Sequence, residues 1–204
     1  MLHPSTMYGL FNPFWWGHVD EEWVHRFAKY QPLTAEHVGA ALPGLNDVDG
    51  KRPAYTAVKF YFNDCFTDTP ENRAFVDRTI RSLVDEGPVI SLSTGVAVDD
   101  HSPCEPDVAA MQEIRHLLGP SSNLMVQSAI VAHARRFVGT YGGFAYLAPL
   151  CGVPAVSYYS EPGSYSTRHL ELVLDVLRSG GSPDLLTLVN LSGANEGAPS
   201  GDRR

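Results

Sequence analysis

From Tyr55 onward the chain alternates β-branched or aromatic runs with amphipathic stretches, and this alternation restricts the fold more than any other feature. The strand-like runs are Tyr55–Phe62, Val89–Leu92, Leu124–Gln127, Phe137–Gly139, Val153–Tyr159 and Leu185–Leu191. Helices are predicted between them. The first starts at Thr69 and Pro70, an N-cap followed by a proline at the first helical position, carries the stripe Val76, Ile80, Leu83 and Val84, and stops at Gly87–Pro88. Others are expected over Glu105–Leu118, Ser128–Arg135, Gly143–Leu150 and Thr167–Leu177, the last with Leu170, Val173, Leu174 and Leu177 on one face. Strands separated by helices pair in parallel through right-handed crossovers. The expected fold is therefore α/β: a doubly wound, mostly parallel six-stranded, Rossmann-like sheet. Such sheets bind ligands beyond the carboxyl ends of their strands.

The flanks read differently. Residues 1–54 hold all three tryptophans and a turn-rich stretch, Pro43–Gly50, and read as an aromatic-rich helical and linker segment preceding a domain over 55–191. Tyr8, Phe11, Phe14, Trp15, Trp16 and Trp23 are too closely spaced for one face of one element to bury them all, which points to self-association or to contact with a missing amino-terminal domain. Residues 192–204 have the composition of a disordered tail. Fifteen basic against 23 acidic residues give a net charge of −8, which argues against a nucleic-acid partner but not against one small anion. Three cysteines without CxxC spacing suit a reducing compartment, and Cys151 is expected in the core. With no signal-peptide pattern and no apolar run approaching ~20 residues, a cytoplasmic protein without a transmembrane segment is expected.

The loops after the strands carry the chemistry. Thr140-Tyr141-Gly142-Gly143 joins a strand to a helix, where glycines admit either a tight turn or the approach of an anion to backbone N–H groups. GxGxxG, GxxxxGK[ST] and GxSxG are all absent, which disfavours nicotinamide enzymes, P-loop NTPases and α/β-hydrolases. Lys59 interrupts a buried strand and either contacts phosphate, snorkels to an edge or pairs with Asp64 or Asp99. Asn63 and Asp64 follow it at the strand's carboxyl end. Asp99-Asp100-His101 either hydrogen-bonds a ribose or base, or forms a solvated loop in which Asp100 or Ser102 caps a helix. Adjacent residues rarely converge on one metal, and no metal site is expected there.

The segment Val138-Gly139-Thr140-Tyr141-Gly142-Gly143, the eight residues Phe144 to Cys151, and Gly152-Val153-Pro154 resemble the donor-binding half of GT-B glycosyltransferases. The similarity is greatest to the ADP-heptose:lipopolysaccharide heptosyltransferase group. Those enzymes usually carry Asn-Asp-Ser-Gly where this chain has Thr140-Tyr141-Gly142-Gly143, and a histidine of their helix falls on Tyr146. The motif spans residues 138–154 and the shared architecture about 55–190.

The resemblance implies a carboxyl-terminal domain that binds a nucleotide-sugar as co-substrate, without another cofactor, for transfer to a glycan or other hydroxyl acceptor. It implies that Thr140, Tyr141, Gly142 and Gly143 hold the diphosphate through N–H groups and the Thr140 hydroxyl, with Lys59 as cation and Asn63 and Asp64 beside it. Asp99, Asp100 and His101 would then face nucleoside or sugar, and Glu161, a candidate by location only, would hold ribose or sugar hydroxyls, or else be a solvated turn residue. The general base usually comes from the amino-terminal domain, which residues 1–54 are too few to form. The alternatives are a non-catalytic nucleotide or nucleotide-sugar binding module, or another sugar-nucleotide enzyme such as an epimerase.

Overall fold

The computed structural model describes residues 54–96, 101–120, 122–165 and 167–192, together with Gly17, His18 and Glu22. The chain divides into two compact units, Met1–Pro32 and Leu33–Arg204, and every element below belongs to the second. The aromatic residues from Tyr8 to Trp23, the linker and the tail beyond Ser192 lie outside the described residues.

Local signals start and stop the first helix as its sequence requires. The Thr69 side chain accepts the Asn72 N–H at 3.1 Å, Pro70 follows, and α1 (Pro70–Glu86) runs to Gly87. Val76, Ile80 and Leu83 are buried along it. Around α1 the chain forms β1 (Thr56–Lys59), β2 (Tyr61–Phe62), β3 (Val89–Ser91), β4 (Ser102–Pro103) and β5 (Gln112–Glu113). The carboxyl-terminal part continues with α2 (Asn123–Ala132), β6 (Arg136–Thr140), α3 (Gly143–Leu150), β7 (Ala155–Tyr159), α4 (Thr167–Ser179) and β8 (Leu186–Asn190).

Six strands pair in the order β5-β3-β1-β6-β7-β8, and every pairing is parallel. The early strands build toward one edge and the late strands toward the other, so the order reverses between β1 and β6. This is an α/β architecture compatible with a Rossmann-like fold. Strand alternation divides the core. Ala57, Ile90, Phe137 and Ala155 meet Val126 and Ile130 of α2 and Ala145 and Ala148 of α3 on one face, while Val58, Val89 and Val138 meet Val76 and Ile80 of α1 on the other.

Four expectations are corrected. Tyr55–Phe62 does not form one strand: it leaves the sheet at Phe60, and β2 pairs antiparallel with β4 in a separate two-stranded sheet. Leu124–Gln127 is the start of α2, not a strand, because Leu124 and Met125 are exposed while Val126 and Gln127 are buried, a grouping that fits a helix and not strand alternation. Glu105–Leu118 is not a helix. Gln112–Glu113 adds to the sheet beside β3, a short 3-10 turn follows at Arg115–Leu117, and Ile114 between them is fully buried. The six-strand expectation is met with β5 in place of Leu124–Gln127. Cys151, expected in the core, is exposed at the end of α3.

The two central strands touch closely. A Cβ built on Gly139 would lie 2.2 Å from the Lys59 carbonyl oxygen, a backbone atom with nowhere to move, whereas one on Gly143 meets nothing within 4 Å. Gly139→Ala should therefore destabilise by about 1–3 kcal/mol or more, and Gly143→Ala should change stability by no more than about 0.5 kcal/mol. Urea unfolding of both variants at unchanged m-value checks the contrast; an Ala at 139 as stable as wild type would show that β1 and β6 are not so closely paired.

Candidate functional site

Parallel pairing sets Lys59 of β1 opposite Gly139 of β6, one residue before the glycine turn. Beyond the carboxyl ends of these strands lies a cavity of about 230 Å³, reached by Lys59, by Ser93 and Thr94 after β3, by His101 before β4, and by Asn123 and Gln127 of α2. No aspartate or glutamate lines it among the described residues.

Lys59 sets the electrostatics. Its ammonium donates to Gln127 Oε1 at 2.8 Å and lies 4.1 Å from the centroid of the Phe144 ring. Gln127 is only 2% exposed, and its own Nε2 donates to Asn123 Oδ1. Neither Asp64, exposed at a turn, nor any other described carboxylate pairs with Lys59. Burial without a counter-charge lowers the lysine from its ordinary 10.5 to about 8.

The glycine turn is built more for packing than its sequence suggests. The Thr140 hydroxyl, 1% exposed, accepts the Tyr61 N–H at 3.1 Å and donates to the Tyr61 carbonyl at 2.8 Å, so it anchors β2 and is not directed at a ligand. Tyr61 in turn donates its hydroxyl to the Tyr141 carbonyl at 3.2 Å, and a Cβ on Gly142 would come within 1.9 Å of that hydroxyl oxygen. Gly142 thus makes room for Tyr61. Gly143 is different: it is exposed, opens α3, and α3 has no side-chain cap. The Tyr141 side chain is buried, with its hydroxyl on the Tyr146 hydroxyl and its ring edge-on to Tyr146 at 5.4 Å and to Tyr165 at 4.7 Å. Burial pushes both the Tyr141 and Tyr146 phenols above their ordinary range.

The remaining predicted residues separate. His101 packs against Tyr61 with the rings tilted at 45° and centroids 4.3 Å apart, and reaches the cavity. Asn63 does not: its Oδ1 accepts the N–H groups of Cys65 and Phe66 at 3.1 and 3.0 Å, the geometry of a turn-forming asparagine. Glu161 is exposed, donates its N–H to the Cys65 carbonyl at 3.1 Å, and lies away from the cavity lining. Asp99 and Asp100 lie outside the described residues. Of the buried thiols, Cys104 is pushed up to about 12 by burial and Cys65 lies against Asn63 Oδ1 at 3.2 Å; neither lines the cavity. The structure thus brings Lys59 and His101 to the cavity, sets the glycine turn Thr140–Gly143 beside it but outside its lining, and leaves Asn63, Asp64 and Glu161 out as well. Gln127, Asn123, Tyr61 and Phe144 are the additions. The first two stand four residues apart on α2, a helical spacing that the strand assignment of Leu124–Gln127 concealed.

The chain matches no protein-family model, no curated protein and no solved structure.

The buried ammonium gives stability a pH dependence of definite sign. Below pH 8 folded and unfolded chains both hold the Lys59 proton, and the folded state bears the full desolvation penalty. Between about 8 and 10.5 the unfolded chain keeps the proton that the folded chain has lost, so stability rises with pH through this window. Relative to Lys59→Met, the wild type should gain about 3 kcal/mol across it. Paired denaturation curves at pH 7.5 and 10.5 measure the difference; a constant gap between the two proteins would show that the amine is solvated.

Proposed function

We propose that residues 55–191 form a doubly wound nucleotide-sugar-binding domain of GT-B type. In this reading the donor's diphosphate lies between Lys59 and the amino-terminal end of α3 at Gly143, for transfer of the sugar to an acceptor hydroxyl. The observation that carries it is the reversal of strand order between β1 and β6, with a lysine that meets no carboxylate among the described residues at the carboxyl end of one strand and a glycine turn without a side-chain cap at that of the other. Open α/β sheets bind their ligands at this crevice. The sequence likeness to heptosyltransferases over residues 138–154 adds the sugar-nucleotide class.

The chemistry follows from the charge. The acceptor oxygen forms a bond to the anomeric carbon as the bond from that carbon to the phosphate oxygen breaks. The acceptor's proton passes to a base, and the diphosphate leaves with the electron pair. The Lys59 ammonium, already desolvated against Phe144, stabilises the charge growing on the departing oxygens with no need to shed water at that moment. N–H groups at the start of α3 do the same from the other side. Thr140 and Gly142 act at one remove, by fixing Tyr61 beside the cavity.

Two outcomes are expected. Lys59→Met should weaken binding of a nucleoside diphosphate by about ten- to a hundredfold, the worth of a charged hydrogen bond, while leaving the uncharged nucleoside nearly unaffected. In the wild type the same affinity should fall as pH rises past about 8, where the amine loses its proton. Calorimetric titration over pH 6.5–9.5 measures both, and equal losses for nucleotide and nucleoside would make Lys59 a purely structural residue. Gly143→Val, with open space around its Cβ, should fold normally yet block approach of the diphosphate. Unchanged nucleotide affinity in that folded variant would remove the glycine turn from the site. Release of a nucleoside diphosphate from a nucleotide-sugar separates a transferase from a binding module.

A further inference from the structure

A buried lysine ordinarily meets a carboxylate. Here the amine has three donors and, among the described residues, one side-chain acceptor, the neutral amide oxygen of Gln127. We infer that Gln127 is a positioning residue that holds the Lys59 ammonium in place without neutralising it, so that the cavity selects a ligand group that is anionic and only accepts hydrogen bonds. This rests on the donor-binding reading of the same cavity and names which of its residues set the selection.

The direction of the hydrogen bonds supports it. A lysine can only donate while protonated, so Gln127 must turn its oxygen toward Lys59 and its nitrogen away. That nitrogen donates to Asn123 Oδ1, which leaves the Asn123 amide nitrogen as a further donor on a residue that lines the cavity. The chain Lys59–Gln127–Asn123 is thereby ordered from one end, with its ammonium charge and its remaining N–H donors on residues that line the cavity. Ser93 adds a hydroxyl that can donate, whereas the Thr94 hydroxyl donates to the Val96 carbonyl at 3.3 Å. Gln127 is itself nearly fully buried in the middle of α2, where a glutamate would complete an ion pair and leave no net charge for a ligand. Among the described residues, the titratable groups that share the cavity with Lys59 are His101 and Tyr61; neither α2 nor α3 brings a carboxylate to its lining.

Two substitutions of nearly constant size separate positioning from packing. Gln127→Glu supplies a counter-charge and should raise the pH at which Lys59 titrates. Gln127→Met removes the acceptor and should lower it. Amine titration is read by the pH dependence of acetylation at Lys59, with mass spectrometry, on the whole chain. Inorganic pyrophosphate is the binding probe. In Gln127→Glu its affinity should drop by about tenfold or more at every pH from about 6 to 9. In Gln127→Met the loss should be confined to the alkaline side and recover toward pH 6. Opposite shifts in the two folded variants support the assignment; shifts in the same direction, or none, overturn it, as does absence of pyrophosphate binding by the wild type. A nucleoside diphosphate that binds no tighter than pyrophosphate would overturn the nucleotide-sugar reading and leave the role of Gln127 standing.

Discussion

The contact between β1 and β6 is close enough that only a glycine fits at position 139, with the Lys59 carbonyl where a side chain would begin. The arrangement of the cavity follows from that contact. The pairing fixes Lys59 beside Gly139, and therefore beside the turn that begins one residue later. It brings Thr140 to the backbone of Tyr61, where its hydroxyl makes two hydrogen bonds and turns the chain out of the sheet into β2. β2 then pairs with β4 and carries Tyr61 to His101, making one wall of the cavity. A slip of one residue would send Phe137 and Val138 to the wrong faces and move the lysine away from α2 together.

Helix α2 answers from the opposite side. Its buried face supplies Val126, Ile130 and Val131 to the core, which leaves little freedom in how the helix is rotated. With the rotation set by packing, Gln127 and Asn123 fall in line toward Lys59. The polar chain is thus positioned by apolar contacts made by its neighbours on the same helix. The amine is disfavoured by burial and unrelieved by a counter-charge, a local instability that a well-packed sheet can tolerate.

How much of this is legible in the sequence depends on the length scale of the signal. Thr69 with Pro70, and Gly87 with Pro88, are local capping signals, and they mark α1 closely. Phe137–Gly139 and Val153–Tyr159 are short apolar runs bounded by turn residues, and both become interior strands of the sheet. Leu124–Gln127 has the same appearance and becomes helix, because a four-residue apolar run carries no period and only the partners across the core decide. Read as a strand, the run conceals the helical spacing of Asn123 and Gln127. Lys59 was visible as an anomaly, a charge in a buried strand, although its partner was not, since an interaction spanning 68 residues leaves no trace in local spacing. Asn63 was misleading for the converse reason: a polar residue at a strand end can close a turn as readily as hold a ligand, and here it closes the turn. The glycines of the turn divide in the same way, Gly142 making room for Tyr61 and Gly143 left open.

The overall charge of −8 sharpens what the cavity must do by itself. An anionic ligand approaches a protein whose distant field repels it, and at physiological salt that field fades within about 8 Å. What remains is contact. Among the described residues several arginines are committed, Arg73 to Asp68, Arg136 to Glu86 and Arg178 to Asp175. Such exposed pairs contribute little to binding at a distance. Lys59 is held apart from this exchange by burial and by the neutrality of Gln127. Its charge is therefore felt over a short range, in a space where solvent screens it least, and only by a group small enough to enter.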